Sequence, residues 1–480
     1  MKKLLLILIA CFGVVGLGIA QVGAQGSAGA VNGSAGSAAQ EGPAGMIVTE
    51  VPVRPAGQTD VVGLAVAPIE TVRVGFIGLG MRGPGAVNRF TFIEGVEIKA
   101  LCDLYPQRVE DTQKRLTDKG LPRAEAYSGA DGWKRLCERD DIDLVYICSP
   151  WQRHTEMALY AMEQGKHVAV EVPAAMTLEE CWALVDTAER TRRHCMMLEN
   201  CCYDFFEMAT LNMAQQGVFG DIVHVEGAYI HDLRELQFNP FSPDARDAYQ
   251  GQFRLEFNAE HTGNPYPTHG LGPVAQVLGL HRGDKMNYLV SLSSAQKGMS
   301  EYARERFGSD SPEAAREYRL GDMNTTLIST ERGRSMMIQH DVTSPRPYSR
   351  LHTVSGTDGF AQKYPVQSVA VAPNAHRALA GEELKEFLAR WEHPITREVG
   401  ELARRVGGHG GMDFIMDWRL VYCLRNGLPL DQDVYDAAEW SCIVPLSEIS
   451  VLAGSAPVAV PDFTRGAWDR VVGFRHAMVN

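Results

Sequence analysis

Short, continuously apolar runs alternate with amphipathic stretches between residues 71 and 200. The runs are VRVGFIG, VEIKALCD, DLVYICSP and HVAVEVP, and the stretches PQRVEDTQKRL and HTEMALYAMEQG between them are compatible with helices. Apolar strands that alternate with helices are typical of a parallel sheet covered on both faces. The pattern predicts a doubly wound α/β domain over residues 71–200.

A different pattern follows from residue 201. Longer strand-like stretches such as DIVHVEGAYIHDL, NTTLIST and RSMMIQHDVTS are joined by turns, and the tail from about residue 380 is mostly helical in pattern. Such stretches favour antiparallel pairing. The sequence therefore predicts a second α/β domain over residues 201–480, built on a mainly antiparallel sheet.

The first 24 residues have two lysines, an apolar run over residues 4–20 and small residues after it. This pattern predicts a signal peptide and export to the periplasm or the medium. Lipidation of Cys11, which would make the protein a lipoprotein, is the alternative interpretation. Residues 25–70 begin rich in Gly, Ala and Ser and are predicted to be a flexible linker and a transition segment. No other segment is apolar enough to predict a membrane span.

Composition excludes several classes of protein. The 480 residues carry a formal net charge of -13 and contain no long basic run, which argues against nucleic-acid binding. The ten cysteines include Cys11, so an odd number remains, several of them within apolar runs. Buried free thiols are the better interpretation than a disulfide framework. No Cys/His spacing typical of zinc occurs, and no metal is predicted.

A glycine-rich loop directly follows the first apolar run. Gly78, Gly80 and Gly83 have the G-x-G-x-x-G spacing, between a predicted strand and a predicted helix. Such glycines permit a tight turn and close approach of a pyrophosphate to the helix N-terminus. Asp103 ends the second predicted strand, where a carboxylate binds the adenosine ribose. The sequence therefore predicts a dinucleotide site, and the acidic Asp103, with no basic residue beside it, favours NAD.

The segment NPYPTHGLGP, residues 264–273, places Tyr266 and His269 three positions apart among glycines and prolines. This composition predicts a loop. A tyrosine and a histidine can each donate or accept a proton, and histidine titrates near neutral pH. The alternative is that His269 is a structural histidine in a turn.

The runs VRVGFIGLGMRG, ALCDLY, DLVYICSPWQRH and GKHVAVEVPAA together resemble the Gfo/Idh/MocA oxidoreductases from about residue 72 to the C-terminus. That resemblance implies a Rossmann domain followed by an α/β domain with an open, mainly antiparallel sheet. Dehydrogenases of that family carry Glu-Lys-Pro after the fifth strand, and the lysine assists proton transfer. This chain has Glu171-Val172-Pro173, and valine has no proton to give, so a sugar dehydrogenase that uses this lysine is in doubt.

More specifically, MRGPGAVNRF, EVPAAMTLEECW, MMLENCCYDFFE, YPTHGLGP and GGHGGMDFIMDWRL are similar to runs of glycoside hydrolase family 109, the NAD-dependent α-N-acetylgalactosaminidases. Besides the three glycines, the resemblance implies cofactor contacts from Met81, Arg82, Asp103, Trp151, Gln152, Arg153, His154, Glu171, Val172, Asn200 and Tyr266. It implies substrate contacts from Tyr229, Arg254, Tyr266, Pro267, Thr268, His269 and Tyr348. The implied substrate is a glycan with terminal α-linked N-acetylgalactosamine.

The resemblance also implies an unusual route of hydrolysis. NAD oxidises the sugar at C3, the proton at C2 becomes acidic, the aglycone leaves by β-elimination, and water addition and reduction complete the cycle. We predict that His269 and Tyr266 are the catalytic proton-transfer pair, because the lysine is missing from the cofactor domain. The alternatives are an NAD-dependent sugar oxidoreductase that releases NADH, and a non-catalytic sugar-binding protein.

Purely structural roles remain open for several of these residues. His154 can cap the following helix, Glu171 can pair with a basic neighbour, and Tyr229 and Tyr348 are ordinary strand residues. Cys201 and Cys202 are more typical of core packing than of redox chemistry. His409 has no assigned role, and assembly into a homo-oligomer is left open.

Overall fold

The computed structural model describes residues 40–41, 45–239 and 252–479. The predicted signal peptide, with Cys11, and the first part of the predicted linker lie outside the described residues. In the described part of the chain, no helix combines the length and the apolar character that crossing a bilayer requires.

The described secondary structure consists of strands β1–β16 and helices α1–α16, numbered along the chain. The strands are Gln40–Glu41, Ile47–Val48, Val72–Ile77, Val96–Asp103, Glu125–Ser128, Leu144–Ile147, His167–Val170, Cys195–Met197, Ile222–Ile230, Met286–Ser293, Asn324–Thr330, Ser335–Asp341, Thr353–Gly356, Gly359–Gln362, Ser368–Val371 and Val458–Ala459. The helices are Gly83–Phe90, Pro106–Thr117, Gly132–Cys137, His154–Glu163, Leu178–Thr191, Phe205–Gln215, Arg234–Phe238, Phe253–Glu260, Thr268–Leu278, Gly298–Phe307, Pro312–Ala315, Gly381–Arg390, Pro394–Val406, Met412–Asn426, Val434–Ser441 and Ile443–Leu452.

The first sheet has the predicted doubly wound form. Its strands pair in parallel in the order β5-β4-β3-β6-β7-β8, and all four residues of β6 and of β7 are buried. Such strands are apolar throughout because helices cover both faces of the sheet. The strand order reverses between β3 and β6, and doubly wound sheets bind ligands at such a switch point. The glycine loop follows β3 directly at this position.

The second sheet is ten-stranded, in the order β1-β2-β16-β10-β11-β12-β9-β13-β14-β15. Its pairings are antiparallel except for β12 with β9 and β16 with β2. The prediction of a second α/β domain on a mainly antiparallel sheet is therefore confirmed. Strands β1 and β2 precede the Rossmann domain in sequence but join this sheet. The sequence does not predict this pairing, because strands of two residues are too short to show a hydrophobic pattern.

The described part of the predicted linker is packed. The guanidinium of Arg54 donates to the buried Glu189 carboxylate of α5 at 2.8 Å, and Val61 is 3% exposed. The amide of Ile47 donates to the carbonyl of Pro457, which brings this segment to the chain's C-terminal part. The amide of Ile69 also donates to the carbonyl of Leu424 at 3.1 Å, so residues 45–70 contact the rest of the chain near both of their ends.

A buried polar contact joins the second domain to the first. Arg89 of α1 donates to the carboxylate of Asp417 on α14 at 2.6 Å, and Tyr146 of β6 donates to the same group at 2.9 Å. Burial raises the pKa of Asp417 to about 6, against the opposing pull of Arg89. Helix α14 thus lies against α1, the helix that follows the glycine loop.

Candidate functional site

The glycine loop has the backbone that a dinucleotide requires. Gly78 adopts φ +89°, a conformation that favours glycine, and a Cβ there would lie 2.6 Å from the backbone of Cys148. A Cβ at Gly83 would collide with the carbonyl oxygen of Gly78. The turn between β3 and α1 is therefore closed by direct backbone contact, which leaves the N-terminus of α1 open to an anion.

Asp103 lies at the end of β4, as predicted. Its carboxylate accepts hydrogen bonds from the amides of Leu79 and Tyr105 at 2.7 and 2.9 Å. The prediction that no basic residue lies beside Asp103 is wrong, because Arg108 of α2 turns back to 3.8 Å from it. Arg108 lies in the first turn of α2, which begins three residues after β4 ends, so the chain returns its side chain toward Asp103. Asp103 still places an acceptor at the end of the second strand, where the ribose of NAD binds.

One cavity of about 610 Å³ joins the glycine loop to the second domain. The predicted residues that line it are Gly78, Gly80, Met81, Arg82, Asp103, Trp151, Arg153, His154, Glu171, Val172, Asn200, Tyr229, Arg254, Tyr266 and His269. The hydroxyl oxygen of Ser149, also on the lining, is buried and has no hydrogen-bond partner within the described residues. A buried hydroxyl without a partner and a loop of glycines, whose backbone a ligand can approach closely, both fit a bound dinucleotide.

Five predicted contacts do not line the cavity: Gly83, Gln152, Pro267, Thr268 and Tyr348. The Tyr348 ring centroid lies 6.3 Å from that of Tyr229, and its hydroxyl accepts a hydrogen bond from Arg350 at 3.1 Å. Tyr348 is thus a neighbour of Tyr229, which does line the cavity. The predicted roles of all these residues stay predictions.

His154 does not cap helix α4. Its Nδ1 and Nε2 lie 2.7 Å from the carbonyl oxygens of Pro173 and Ser149, and the helix has no side-chain cap. Burial lowers the pKa of His154 although both carbonyls favour the charged ring. The histidine ties the segment after β6 to the segment after β7, which keeps two walls of the cavity together.

Glu171 pairs with a basic neighbour, as the alternative interpretation expected. Its carboxylate accepts from Arg82 Nε at 3.0 Å, so the pair links the end of β7 to the glycine loop. Both residues still line the cavity, and the structural and cofactor interpretations are compatible. Val172 follows Glu171 with 3% exposure and presents an apolar side chain.

The segment 264–273 is only partly a loop. Residues 268–278 form helix α9, with Pro273 inside it, so the prediction of a loop is wrong from Thr268 on. The reason is tertiary: a Cβ at Gly270 would collide with the backbone of β9 at Ala228, and Gly272 is similarly confined. Close helix–sheet packing overrides the low helix propensity of glycine and proline. His269 therefore lies in the first turn of a helix that touches β9.

Three rings meet where α9 and β9 touch. The centroid of Tyr229 on β9 is 4.7 Å from that of Tyr266 and 5.3 Å from that of His269. The hydroxyl of Tyr266 lies 3.5 Å from Nε2 of His269, at the limit of a hydrogen bond. Burial raises the pKa of Tyr266 well above its ordinary value. The phenol is therefore protonated at neutral pH and can donate a hydrogen bond.

Glu199, which the sequence analysis missed, completes the histidine's environment. Its fully buried carboxylate lies 2.8 and 2.9 Å from Nδ1 of His269 and also accepts from the amide of Cys201. Burial opposes the charged carboxylate, but His269 outweighs it and the pKa of Glu199 lies below its ordinary value. Glu199 is the second residue after β8, at the carboxyl edge of a parallel sheet. That placement is a sequence signal that could have found it.

The pairing fixes which nitrogen of His269 is free to react. A carboxylate accepts only, so Nδ1 carries the proton toward Glu199 and Nε2 faces Tyr266 as an acceptor. Cys201 also places its sulfur within 4.8 Å of the Glu199 and His269 ligand atoms, a grouping that no sequence spacing showed. The hydrogen bond already engages two of the three groups. The expectation of no metal stays a prediction.

Arg254 supplies positive charge to the same end of the cavity. Its guanidinium carbon is 4.6 Å from the ring centroids of both Trp151 and Tyr266, and those rings are stacked 5.6 Å apart. A cation over aromatic faces is held by the ring quadrupoles. Arg254 thus joins the segment after β6 to the start of α9.

Comparison with known proteins agrees with this geometry. Residues 72–199 match a family described as an oxidoreductase family with an NAD-binding Rossmann fold, which confirms the predicted cofactor. Residues 203–470 match the C-terminal domain of glycosyl hydrolase 109. An α-N-acetylgalactosaminidase of Bacteroides fragilis is 62% identical over 86% of this chain and 96% of its own length. A glycosyl hydrolase family 109 protein of Porphyromonas gingivalis is 54% identical over 90% of this chain and 93% of its own.

Solved structures show the same fold at low sequence identity. A levoglucosan dehydrogenase in complex with NADH and levoglucosan has a TM-score of 0.61 at 19% identity, covering 82% of this chain and 100% of its own. Apo scyllo-inositol dehydrogenase from Lactobacillus casei has a TM-score of 0.56 at 15% identity, covering 82% and 99%.

Proposed function

Because the chain belongs to glycosyl hydrolase family 109, we propose that it hydrolyses terminal α-linked N-acetylgalactosamine from glycans. The relative from Bacteroides fragilis carries that activity in its name. The observation that carries the proposal is that the cofactor loop and His269, which is paired with the buried Glu199, line one cavity. A sugar in that cavity meets a redox cofactor on one side and a proton acceptor on the other.

The first domain binds the cofactor. The N-terminus of α1 receives the pyrophosphate, Asp103 receives the ribose hydroxyls, and Arg82 and Glu171 hold the loop to the end of β7. When bound, NAD supplies a hydride acceptor that oxidises a sugar carbon and returns the hydride within the same turnover. The net reaction is therefore hydrolysis, without accumulation of NADH.

The second domain moves the protons. Nε2 of His269 accepts a proton from the sugar, and Glu199 stabilises the imidazolium that results. The Tyr266 hydroxyl, which burial keeps protonated, is the second group of the proton-transfer pair. Tyr229 and Arg254 line the same end of the cavity and orient the sugar. Val172 leaves the cofactor domain without the lysine of the related dehydrogenases, which is why the base comes from α9.

Hydrolysis of an aryl α-N-acetylgalactosaminide tests the proposal directly. Aglycone release and the absorbance of reduced cofactor are followed together, before and after the cofactor is stripped from the protein. We expect release to stop on stripping, to return when NAD is added, and to proceed without accumulation of NADH. Stoichiometric NADH would make the protein a sugar oxidoreductase, and undiminished release from the stripped protein would refute a role for NAD.

We also propose that the protein acts outside the cytoplasm, on the basis of the basic start and apolar run within residues 1–24. Fractionation of the producing cells, with mass spectrometry of the purified protein, tests this. Export predicts a chain that lacks the first residues and is found outside the cytoplasm. An intact chain in the cytoplasm would contradict it.

A further inference from the structure

The position of the Glu199 carboxylate decides how strongly it acts on His269, because a hydrogen bond weakens steeply as its geometry departs from the optimum. Glu199 lies between the end of β8 and a single 3-10 turn over Asn200–Tyr203. A residue in such a connection lacks the ladder of hydrogen bonds that fixes the residues of a strand on both sides. The surrounding chain therefore has to supply that support.

Gln432 supplies it from the connection between α14 and α15, where it is completely buried. Its side-chain oxygen accepts from the amide of Glu199 at 3.2 Å, and its side-chain nitrogen donates to the carbonyl of Glu199 at 2.9 Å. The local turn contributes to the same two groups. The amide of Glu199 also donates to the carbonyl of Met197 at 2.9 Å, and its carbonyl accepts from the amide of Cys202 at 3.4 Å. Gln432 is thus the long-range partner of both backbone polar groups of Glu199.

The connection that carries Gln432 is anchored on both sides. The carboxylate of Asp431 accepts from the buried guanidinium of Arg419 at 2.7 and 2.8 Å, and from the hydroxyl of Tyr203 at 3.2 Å. The side chain of Asp433 caps the N-terminus of α15. Because Tyr203 ends the 3-10 turn described above, the connection contacts that segment at two points. Gln432 is therefore held in place before it holds anything else.

The side chain of Glu199 is confined as well. Its carboxylate accepts from the amide of Cys201 at 3.0 Å. A Cβ at Gly272 of α9 would come within 2.8 Å of Cγ of Glu199, so the stem of this side chain lies directly against the helix that carries His269. Any shift in the backbone of Glu199 therefore moves its carboxylate relative to α9.

We propose that Gln432 is a positioning residue: by holding both backbone polar groups of Glu199, it places the Glu199 carboxylate at Nδ1 of His269. Gln432 does not line the cavity, so it acts through Glu199 and not on the sugar or the cofactor. It then has a part in the same proton transfer, and this role rests on the proposed function.

The variant Gln432→Met tests the role, because it keeps the length of the side chain and removes both hydrogen bonds. Each backbone group of Glu199 retains its local partner, so the variant should fold. We expect kcat for an aryl α-N-acetylgalactosaminide to fall roughly tenfold, the change in rate that corresponds to about one hydrogen bond between neutral groups. KM and the content of bound NAD should stay unchanged. An unchanged kcat would overturn the inference.

Gln113 of α2 provides a matched control, because it makes the same arrangement away from Glu199. It is completely buried, donates to the carbonyl of Ala124 at 2.5 Å and accepts from the amide of Ala124 at 3.0 Å. Gln113→Met therefore removes an equivalent pair of hydrogen bonds. It should lower the unfolding temperature and leave kcat unchanged. An equal fall in kcat in both variants would show general destabilisation and refute a positioning role.

A double variant separates positioning from a purely structural effect. Glu199→Gln removes the charged group through which Gln432 acts. Gln432→Met added to Glu199→Gln should therefore lower kcat by no more than about twofold further, because the effects of coupled residues are not additive. A further tenfold loss would mean that Gln432 acts independently of Glu199, and would contradict the proposal.

The Nδ1 proton of His269 gives a measurement that needs no substrate. It lies in a short, charge-assisted hydrogen bond to a buried carboxylate, and such protons resonate at low field in NMR spectra. The signal is assigned by its loss in Glu199→Gln. Gln432→Met should shift it, and Gln113→Met should not. A shift in a protein that hydrolyses no α-N-acetylgalactosaminide would contradict the proposed function and still support the placement of Glu199 by Gln432. An unmoved signal would overturn that placement.

Discussion

Replacing Glu199 with glutamine removes one negative charge and leaves the shape of the side chain nearly unchanged. The carboxylate is fully buried and lies 2.8 and 2.9 Å from Nδ1 of His269. A hydrogen bond to a charged group contributes about 1.5–3 kcal/mol, and about 1.4 kcal/mol corresponds to a tenfold change in rate. We therefore expect Glu199→Gln to lower kcat about 10- to 150-fold.

The assay is aglycone release from an aryl α-N-acetylgalactosaminide, with the bound NAD determined for each preparation. NAD content should be unchanged, since Glu199 does not line the cavity. Glu199→Asp retains the charge and should recover part of the activity. Glu189→Gln is the matched control, because Glu189 is buried and paired with Arg54 away from the cavity. It should lower stability with little effect on kcat. A folded, NAD-loaded Glu199→Gln protein with undiminished kcat would refute the role of Glu199.

Three further predictions follow from the geometry. Tyr266→Phe removes a proton donor and should lower kcat by roughly 10²-fold or more with NAD retained; an unchanged kcat would remove Tyr266 from the mechanism. Gly270→Ala forces a Cβ against the backbone of β9 and should lower the free energy of unfolding by about 1–3 kcal/mol, measured with urea; a neutral effect would contradict the tight contact. His281 is buried, and both desolvation and the charge of Arg282 lower its pKa. The carboxylates of Asp436 and Asp433 outweigh them and raise the pKa from 6.5 to about 10. The stability contributed by the charged ring is fully present below pH 6.5 and is lost as the pH rises toward about 10. The unsubstituted protein should therefore lose more stability over that pH range than His281→Gln does. Equal losses in the two proteins would contradict the ion pairing.

The cofactor site was predictable because its signals are local. The glycine spacing and Asp103 lie within one strand–helix–strand unit, so sequence distance and spatial distance agree. The doubly wound domain was predictable for a similar reason, since each buried strand is a continuous apolar run.

The sugar end of the cavity was less predictable because its contacts are long-range. Glu199 and His269 are 70 positions apart, and only the folded chain brings them together. The glycines of α9 are typical of a loop in sequence, yet in the structure they permit contact with β9. The contacts of Arg108 with Asp103 and of Tyr348 with Tyr229 likewise depend on the folded chain and not on adjacent sequence positions.

The central claim is that hydrolysis follows the route implied by the family resemblance, in which the proton that His269 accepts comes from C2 of the sugar. Hydrolysis of the α-N-acetylgalactosaminide in deuterated water, followed by NMR and mass spectrometry of the released sugar, tests this most directly. The account predicts N-acetylgalactosamine that carries deuterium at C2, because the proton taken by His269 exchanges with solvent before it is replaced. Released sugar with its original hydrogen at C2 would contradict the account.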